Sequence, residues 1–249
     1  MIENNSNELT VIVITYNSDK YLNRCLDSIE GYQVIVIDNC SKDNTIKIAE
    51  KHKVKIIINK KNYGYAKAAN IGTRNSNSDY ILLINPDVYF KEDTIKKMLL
   101  FMQQHKECDI QGPKLVNDKG KLIYSCKRFP VLKDVIGRRL GLFKKSVYYY
   151  LMKDYDHKKP KIVDWVSGGC MLFKNVLKLD ERFFLYLEDV DFCHKKLVYY
   201  NPNAVAFHSV QRKSAEKLIH LFYHLSSFFK YKLKHNLTPS MRSRNPLGR

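Results

Sequence analysis

The stretch Leu9-Thr10-Val11-Ile12-Val13-Ile14-Thr15-Tyr16 (residues 9–16) decides the fold. It is rich in β-branched residues, short for a helix, and apolar at consecutive rather than alternate positions. That is the pattern of a strand buried on both faces, as in a parallel sheet covered by helices. The same pattern recurs outward from it. After the polar break Asn17-Ser18-Asp19, residues 20–30 carry Leu22, Leu26 and Ile29 at helical spacing. Val34-Ile35-Val36-Ile37 reads as a second buried strand, ended by Asp38-Asn39. Ser41 is placed to cap a helix over 42–52, and 54–58 forms a third strand. Residues 63–73 are Ala-rich and read as a helix; 80–84 is a fourth strand, stopped by Asn85-Pro86. Residues 92–105 form an amphipathic helix with Ile95, Met98, Leu99 and Met102 on one face.

Four strands alternating with helices predict an α/β fold, a Rossmann-like sheet with helices on both faces. Ligands of such sheets bind beyond the carboxyl ends of the strands. The residues to inspect are therefore Thr15 to Asn17, Asp38-Asn39, 59–64 and Asn85 to Asp87. No G-x-G-x-x-G follows the first strand, which removes the dinucleotide fingerprint. Beyond 105 the alternation fades. Residues 113–160 are mixed, basic and aromatic, 162–173 read as a strand interrupted by Gly168-Gly169, and 183–197 as a loop entering a helix.

With 249 residues and 45% hydrophobic content the chain can build a substantial core, and residues 1–238 are expected to form one domain. A nucleotide-binding half covers about 9–105, an acceptor and catalytic half 106–212, and a basic amphipathic helix 213–238, before a disordered tail over 239–249. The formal net charge of +18 favours anionic partners. No two of the six cysteines stand at C-x-x-C spacing, so no zinc site is suggested and a reducing, cytoplasmic setting is expected. No window of about 20 apolar residues predicts a transmembrane helix. From Lys195 to Arg249, eleven Lys or Arg residues stand against Glu216 alone. Leu218, Leu221, Phe222, Leu225 and Phe229 share one helical face there. That face either packs on the domain or lies on an anionic membrane.

Each chemically suggestive residue has a structural alternative. Asp38 can accept hydrogen bonds from a base or ribose, or only cap the next turn. Asp87 in Asn85-Pro86-Asp87 can bind Mg²⁺ or Mn²⁺, or sit in an ordinary turn. Glu188-Asp189-Val190-Asp191 places three carboxylates within four residues, flanked by Phe183, Phe184, Leu185, Tyr186, Leu187 and Phe192. Apolar company raises a carboxylate pKa towards that of a general base, while a solvated acidic turn is the competing reading. Trp165-Val166-Ser167-Gly168-Gly169 joins the chain's only Trp to two glycines, suited to a sugar or to a β-bulge. His208 alone is as readily structural as metal-binding.

In order, T-V-I-V-I-T-Y-N-S (10–18), V-I-V-I-D-N-C-S-K-D-N-T (34–45), N-Y-G-Y-A-K-A-A-N-I-G (62–72), L-L-I-N-P-D-V (82–88), W-V-S-G-G-C-M-L (165–172) and D-E-R-F-F-L-Y-L-E-D-V-D-F-C (180–193) resemble the family 2 glycosyltransferases, the rhamnosyltransferase-like branch in particular. The resemblance implies the GT-A fold, with a nucleotide-binding sheet and a second half that forms the acceptor site. It places Thr15, Tyr16, Asn17 and Asp38 at the nucleoside, and Asn62, Gly64, Lys67 and Asn70 along the pyrophosphate and ribose. Asp87 stands at the last Asp of the family's D-x-D and His208 at a downstream ligand, so both would hold Mg²⁺ or Mn²⁺. Asp189 matches the general base, with Glu188 and Asp191 positioning the acceptor, and Trp165, Gly168 and Gly169 belong to the acceptor side. The implied donor is dTDP-rhamnose, with UDP-galactofuranose or a UDP-N-acetylhexosamine as alternatives. The implied acceptor is a saccharide, a lipid-diphosphate-linked oligosaccharide, in bacterial O-antigen, capsule or cell-wall assembly at the inner face of the plasma membrane. Two other classes fit less well. A nucleotidyltransferase needs a Gly-rich basic loop after the first strand, which residues 15–20 lack. A nucleic-acid-binding module needs a basic stripe interleaved with aromatics, approached only over 138–161, so no nucleic acid is expected.

Overall fold

The computed structural model describes residues 8–91, 93–209 and 218–236. The strands predicted in the first half are present as Leu9–Thr15 (β1), Gln33–Asp38 (β2), Lys55–Ile58 (β3) and Tyr80–Ile84 (β4). Between and after them run Asp19–Asp27 (α1), Thr45–Ala49 (α2), Tyr65–Arg74 (α3) and, beyond the short strand Val88–Phe90 (β5), Thr94–Gln104 (α4). Strands β2 and β4 flank β1 in parallel, and β3 is parallel to β2. Consecutive residues of β1 enter opposite cores. Ile12 and Ile14 pack in the layer that holds Ala66 and Ala69 of α3. Val11 and Val13 pack with Leu22 and Leu26 of α1 and Met98 of α4. Double burial is why the run carries no polar alternation.

The second half adds Ile110–Val116 (β6), Leu122–Ile123 (β7), Cys126–Lys127 (β8), Leu132–Leu140 (α5), Lys144–Tyr150 (α6), Lys161–Val163 (β9), Trp165–Val166 (β10), Cys170–Lys174 (β11), Glu188–Cys193 (α7), Val198–His208 (β12) and Leu218–Asn236 (α8). It continues the same sheet, in the order β3-β2-β1-β4-β11-β6-β12-β5. Strand β11 docks antiparallel on β4, and β12 runs parallel to β6 and antiparallel to β5. The strands β10 and β8 form a separate two-stranded ribbon. All six cysteines are free, and five of them are buried.

Helix α8 turns the expected apolar face outward at Phe222 and Phe229 and packs a different set of residues on the domain. Ser227, Phe228 and Tyr231 are buried, whereas Phe222 and Phe229 are 68% and 56% exposed and Leu233 is 69% exposed. The orientation is set by polar anchors: Lys234 and His235 reach Asp191 at 2.7 and 2.8 Å, and Ser227 donates to the Leu185 carbonyl at 2.9 Å. Leu218 and Leu221 lie outside the described side chains, and residues 213–217 and 239–249 outside the described residues. Among the described residues no helix is long and apolar enough to cross a membrane.

Candidate active site

The register of β12 builds the first part of the site. A shift between Asn201 and Val205 is followed by pairing of Ala206, Phe207 and His208 with Phe90, Tyr89 and Val88. This sets His208 beside Asp87, with Nε2 3.2 Å from Asp87 Oδ1, both side chains largely buried. Asp87 Oδ1 and His208 Nδ1 are buried without a hydrogen-bond partner. Two ligands about 2.1 Å from one cation at a right angle stand about 3 Å apart, so the orphaned oxygen and its separation from the imidazole fit a divalent cation. Among the described residues no third His, Cys, Asp or Glu joins them. A cation here takes the rest of its shell from phosphate oxygens and water.

Helix α7 builds the second part. Tyr186 and Leu187 both take left-handed backbone, φ 68° and 60°, a conformation costing about 1 kcal/mol or more per residue. The turn delivers Glu188 and Asp189 to one cavity of about 340 Å³, which Lys127, Arg138, Tyr150 and Trp165 also line. Burial first, then the neighbouring Asp189 charge, pushes the Glu188 carboxyl well above its ordinary value, and its Oε2 has no partner. Burial also raises Asp189, opposed by the Gly168 amide and the Lys127 charge. Asp189 Oδ2 accepts the Gly168 N–H at 3.0 Å and Oδ1 accepts the Val190 N–H at 2.9 Å.

One turn joins the two parts. A Cβ on Gly168 would stand 3.3 Å from the Asp189 Cβ, and one on Gly169 3.2 Å from His208 Cε1. The turn is tied from both sides, because Asn85 N–H donates to the Gly169 carbonyl at 3.0 Å and the Tyr65 hydroxyl to the Gly168 carbonyl at 2.5 Å. The two glycines expected on the acceptor side therefore touch the acid pair and the Asp87–His208 pair at once.

The expected nucleoside residues gather at the carboxyl ends of β1 and β2. Asp38 is fully buried, and its carboxylate accepts the Thr15 hydroxyl at 2.9 Å, the Ser41 hydroxyl at 2.5 Å and the Ser41 amide at 2.8 Å. The carboxylate expected to meet a base or ribose is thus engaged within the protein. Ser41 serves Asp38 rather than capping a helix, and Asn44 is the N-cap of α2. Asn17 accepts the Lys42 N–H at 2.8 Å and Tyr16 is exposed, so these two form the outer surface. Asn62 accepts the Gly64 N–H at 2.9 Å. Gly64, at φ 82°, has no room for a Cβ against Phe184. The Lys67 ammonium lies 4.8 Å from the Tyr63 ring.

Three expectations are corrected. Asn70 is buried; its amide donates to the Leu179 carbonyl (2.9 Å) and Glu181 (3.1 Å) and accepts the Leu179 N–H (3.0 Å), so it clamps that segment to α3 instead of facing a donor. Asp191 is buried towards α8 and held by Lys234 and His235, because two residues along a helix from Asp189 is close to the opposite side. Trp165 borders the cavity but is buried, donates to the Arg128 carbonyl at 2.8 Å, and has the Lys127 ammonium 4.1 Å over its ring, so it offers no open stacking face. Lys127 and Arg138 were missed. They come from the segment without periodicity, where nothing marks an inward lysine.

Residues 10–178 match the family model described as glycosyl transferase family 2. Fold and family define the class, a glycosyltransferase of the GT-A fold. The chain belongs to glycosyl transferase family 2. It is 27% identical to rhamnosyltransferase WbbL of Escherichia coli (strain K12), over 89% of this chain and 91% of the relative. It is 26% identical to the N-acetylglucosaminyl-diphospho-decaprenol L-rhamnosyltransferase of Mycobacterium tuberculosis (strain CDC 1551 / Oshkosh), over 89% and 82%. The crystal structure of GalNAc-T7 with UDP, GalNAc and Mn²⁺ shares the fold at TM-score 0.60 and 12% identity, covering 94% of this chain and 55% of that one.

Proposed function

We propose that the chain is an inverting hexosyltransferase dependent on Mg²⁺ or Mn²⁺, moving L-rhamnose from dTDP-rhamnose onto a lipid-linked saccharide. Donor identity rests on the similarity to rhamnosyltransferases. A UDP-sugar is the alternative, supported by the likeness to a fold solved with UDP. The observation that carries the reading is the Gly168-Gly169 turn, which puts a raised carboxylate on one side and an oxygen–imidazole pair on the other.

Tyr16, Asn17 and the 62–67 segment hold the nucleoside and phosphates at the strand ends, and Asp87 with His208 holds the cation. When bound, the cation offsets charge on the leaving nucleoside diphosphate. Asp189 takes the acceptor hydroxyl proton as that oxygen bonds to the anomeric carbon, and the carbon–oxygen bond to the diphosphate breaks on the opposite face. One displacement inverts the configuration. Burial and the Asp189 charge favour the protonated form of Glu188, which leaves Asp189 as the member of the pair suited to accept a proton. The exposed Phe222, Phe229 and Leu233 of α8, beside Lys230 and Lys232, support a peripheral location on the anionic inner leaflet. There the chain acts in surface-polysaccharide or O-antigen assembly.

A thermal-shift panel of dTDP-, UDP- and GDP-sugars with and without Mn²⁺ tests the reading. Stabilisation by a dTDP-sugar that grows with Mn²⁺ is expected. No stabilisation by any nucleotide overturns it.

A further inference from the structure

The Asp87–His208 pair stands at the open edge of the sheet. Strand β5 is three residues long, lies last in the strand order, and pairs with the final three residues of β12. His208 ends that pairing, opposite Val88. Strand ends held by few backbone bonds open readily, yet the 3.2 Å approach of His208 to Asp87 requires both strands to keep their places.

The fastening comes from a third segment, the turn between β6 and β7. Strand β6 runs parallel to β12 with Val116 beside Phe207, so the turn that follows it arrives at the end of β12. Asn117 folds this turn on itself: its side-chain oxygen accepts the Lys119 and Lys121 N–H groups at 3.0 and 2.9 Å, with Gly120 at φ 74°. Asp118 is thereby presented to both strands. The Ser209 hydroxyl donates to its carboxylate, 3.0 and 2.9 Å from the two oxygens, and the Tyr89 hydroxyl donates to it at 3.0 Å.

Both hydroxyls belong to neighbours of the pair. Ser209 follows His208 directly, and its N–H donates to the Asp87 carbonyl at 2.9 Å. Tyr89 stands two residues after Asp87, and its ring stacks on Phe207 at 4.9 Å. Arg24 of α1 completes the group, donating to Asp118 at 3.1 Å and covering the Tyr89 ring at 3.4 Å. Asp118 and Arg24 are both half-exposed, so their ion pair adds little to stability. Hydrogen bonds to a charged acceptor are stronger than neutral ones, and here they converge on the two strands that carry the pair.

We propose that Asp118 is the positioning residue of the cation pair, holding Asp87 and His208 at their spacing through the hydroxyls of Tyr89 and Ser209. The proposal rests on the reading of Asp87 and His208 as the residues that hold the divalent cation.

Mn²⁺ is titrated into the protein, alone and with dTDP, and the free ion is followed by its electron paramagnetic resonance signal. Asp118→Ala should weaken Mn²⁺ binding by about tenfold or more, the usual loss when a residue that orients a metal-binding side chain is removed. The double variant Tyr89→Phe, Ser209→Ala should reproduce that loss. Adding Asp118→Ala to it should then change the affinity by less than about twofold, because all three changes break the same contacts. Asp87→Ala identifies the site. Wild-type Mn²⁺ affinity in Asp118→Ala, with binding lost in Asp87→Ala, overturns the positioning role and leaves the cation site standing. A fall in metal-free Tm with Mn²⁺ affinity intact does the same, since the carboxylate then serves stability alone. Mn²⁺ binding that Asp87→Ala leaves unchanged overturns the cation pair, and the positioning role with it.

Discussion

Gly168 donates its amide to Oδ2 of Asp189 across 3.0 Å, and the carboxylate proposed as the base is thereby tied to the backbone of the turn whose next residue abuts His208. The separation between Asp189 and the Asp87–His208 pair is therefore set by one peptide between β10 and β11. Such separations matter, since a misplacement of about 1 Å can cost about 10²-fold in rate.

Gly169→Ala tests this directly. Its Cβ would stand 3.2 Å from His208 Cε1, tighter than ordinary contact, so the imidazole must give by a few tenths of an ångström and its approach to Asp87 is disturbed. The expected result is a weaker Mn²⁺-dependent thermal shift and a fall in kcat/KM of about tenfold or more, with metal-free nucleotide binding unchanged. Wild-type Mn²⁺ dependence would show that the turn does not position the pair.

Asp189→Asn should leave nucleotide affinity intact and lower kcat by about 10²–10⁴, the usual contribution of a general base. The Asn oxygen can accept from only one of the Gly168 and Val190 amides that hold the two carboxylate oxygens, so Tm is measured alongside turnover to separate a loss of folding from a loss of transfer. Retained turnover in a radiolabelled-donor assay would remove Asp189 from the role.

Glu188 makes stability depend on pH. Its carboxyl is raised above the ordinary 4.5 in the folded chain, so the folded state binds the proton more tightly than the unfolded state. The stabilisation is complete below 4.5 and is lost as pH rises through the folded value. Glu188→Gln carries no such charge, so its Tm relative to wild type should climb as pH rises above the ordinary 4.5. A Tm difference that is flat with pH contradicts a buried neutral acid.

The Asp191 clamp predicts a loss of stability without a loss of nucleotide binding. Asp191 is buried and meets Lys234 at 2.7 Å and His235 at 2.8 Å, and Lys234 is a third exposed. Partial solvation of that ammonium lowers the cost of breaking the pair, and Asp191→Asn should destabilise by about 1–3 kcal/mol in urea titration. A drop in donor affinity as large as the drop in stability would return Asp191 to the substrate.

The exposed stripe of α8 predicts membrane retention. Phe222, Phe229 and Leu233 lie outward beside Lys230 and Lys232. Sedimentation with vesicles rich in anionic phospholipid at low salt should retain the wild type. The double variant Phe222→Ser, Phe229→Ser should be retained several-fold less, with its Tm unchanged. Equal retention of both, or of neither, removes the apolar stripe as the anchor.

The first half of this fold was legible in the chain because β1, β2 and β4 are buried on both faces, and burial of that kind writes itself as an unbroken β-branched run. Helices α1, α3 and α4 each present one apolar face to those strands. The second half was legible only at the interrupted strand of 162–173, which is β10 and β11, and at the loop entering α7; its other strands are short or broken by their own residues. Strand β6 contains Gly112-Pro113, ordinarily a strand breaker, and the glycine is accommodated because Val166 packs where its Cβ would be. The acidic motif around Asp189 announced itself by composition, yet only tertiary structure separated its members: Glu188 and Asp189 face the cavity and Asp191 faces α8. Periodicity marked α8 as apolar without deciding its orientation, which Asp191 and Ser227 settle through polar anchors. The sequence by itself determined the doubly wound sheet and the residue types of the site, since local pattern follows local burial. Only the tertiary structure decided that Asp87 meets His208 through the β5–β12 register, and that Lys127 turns inward over Trp165. Those relationships join segments far apart in the chain, and no local pattern encodes them.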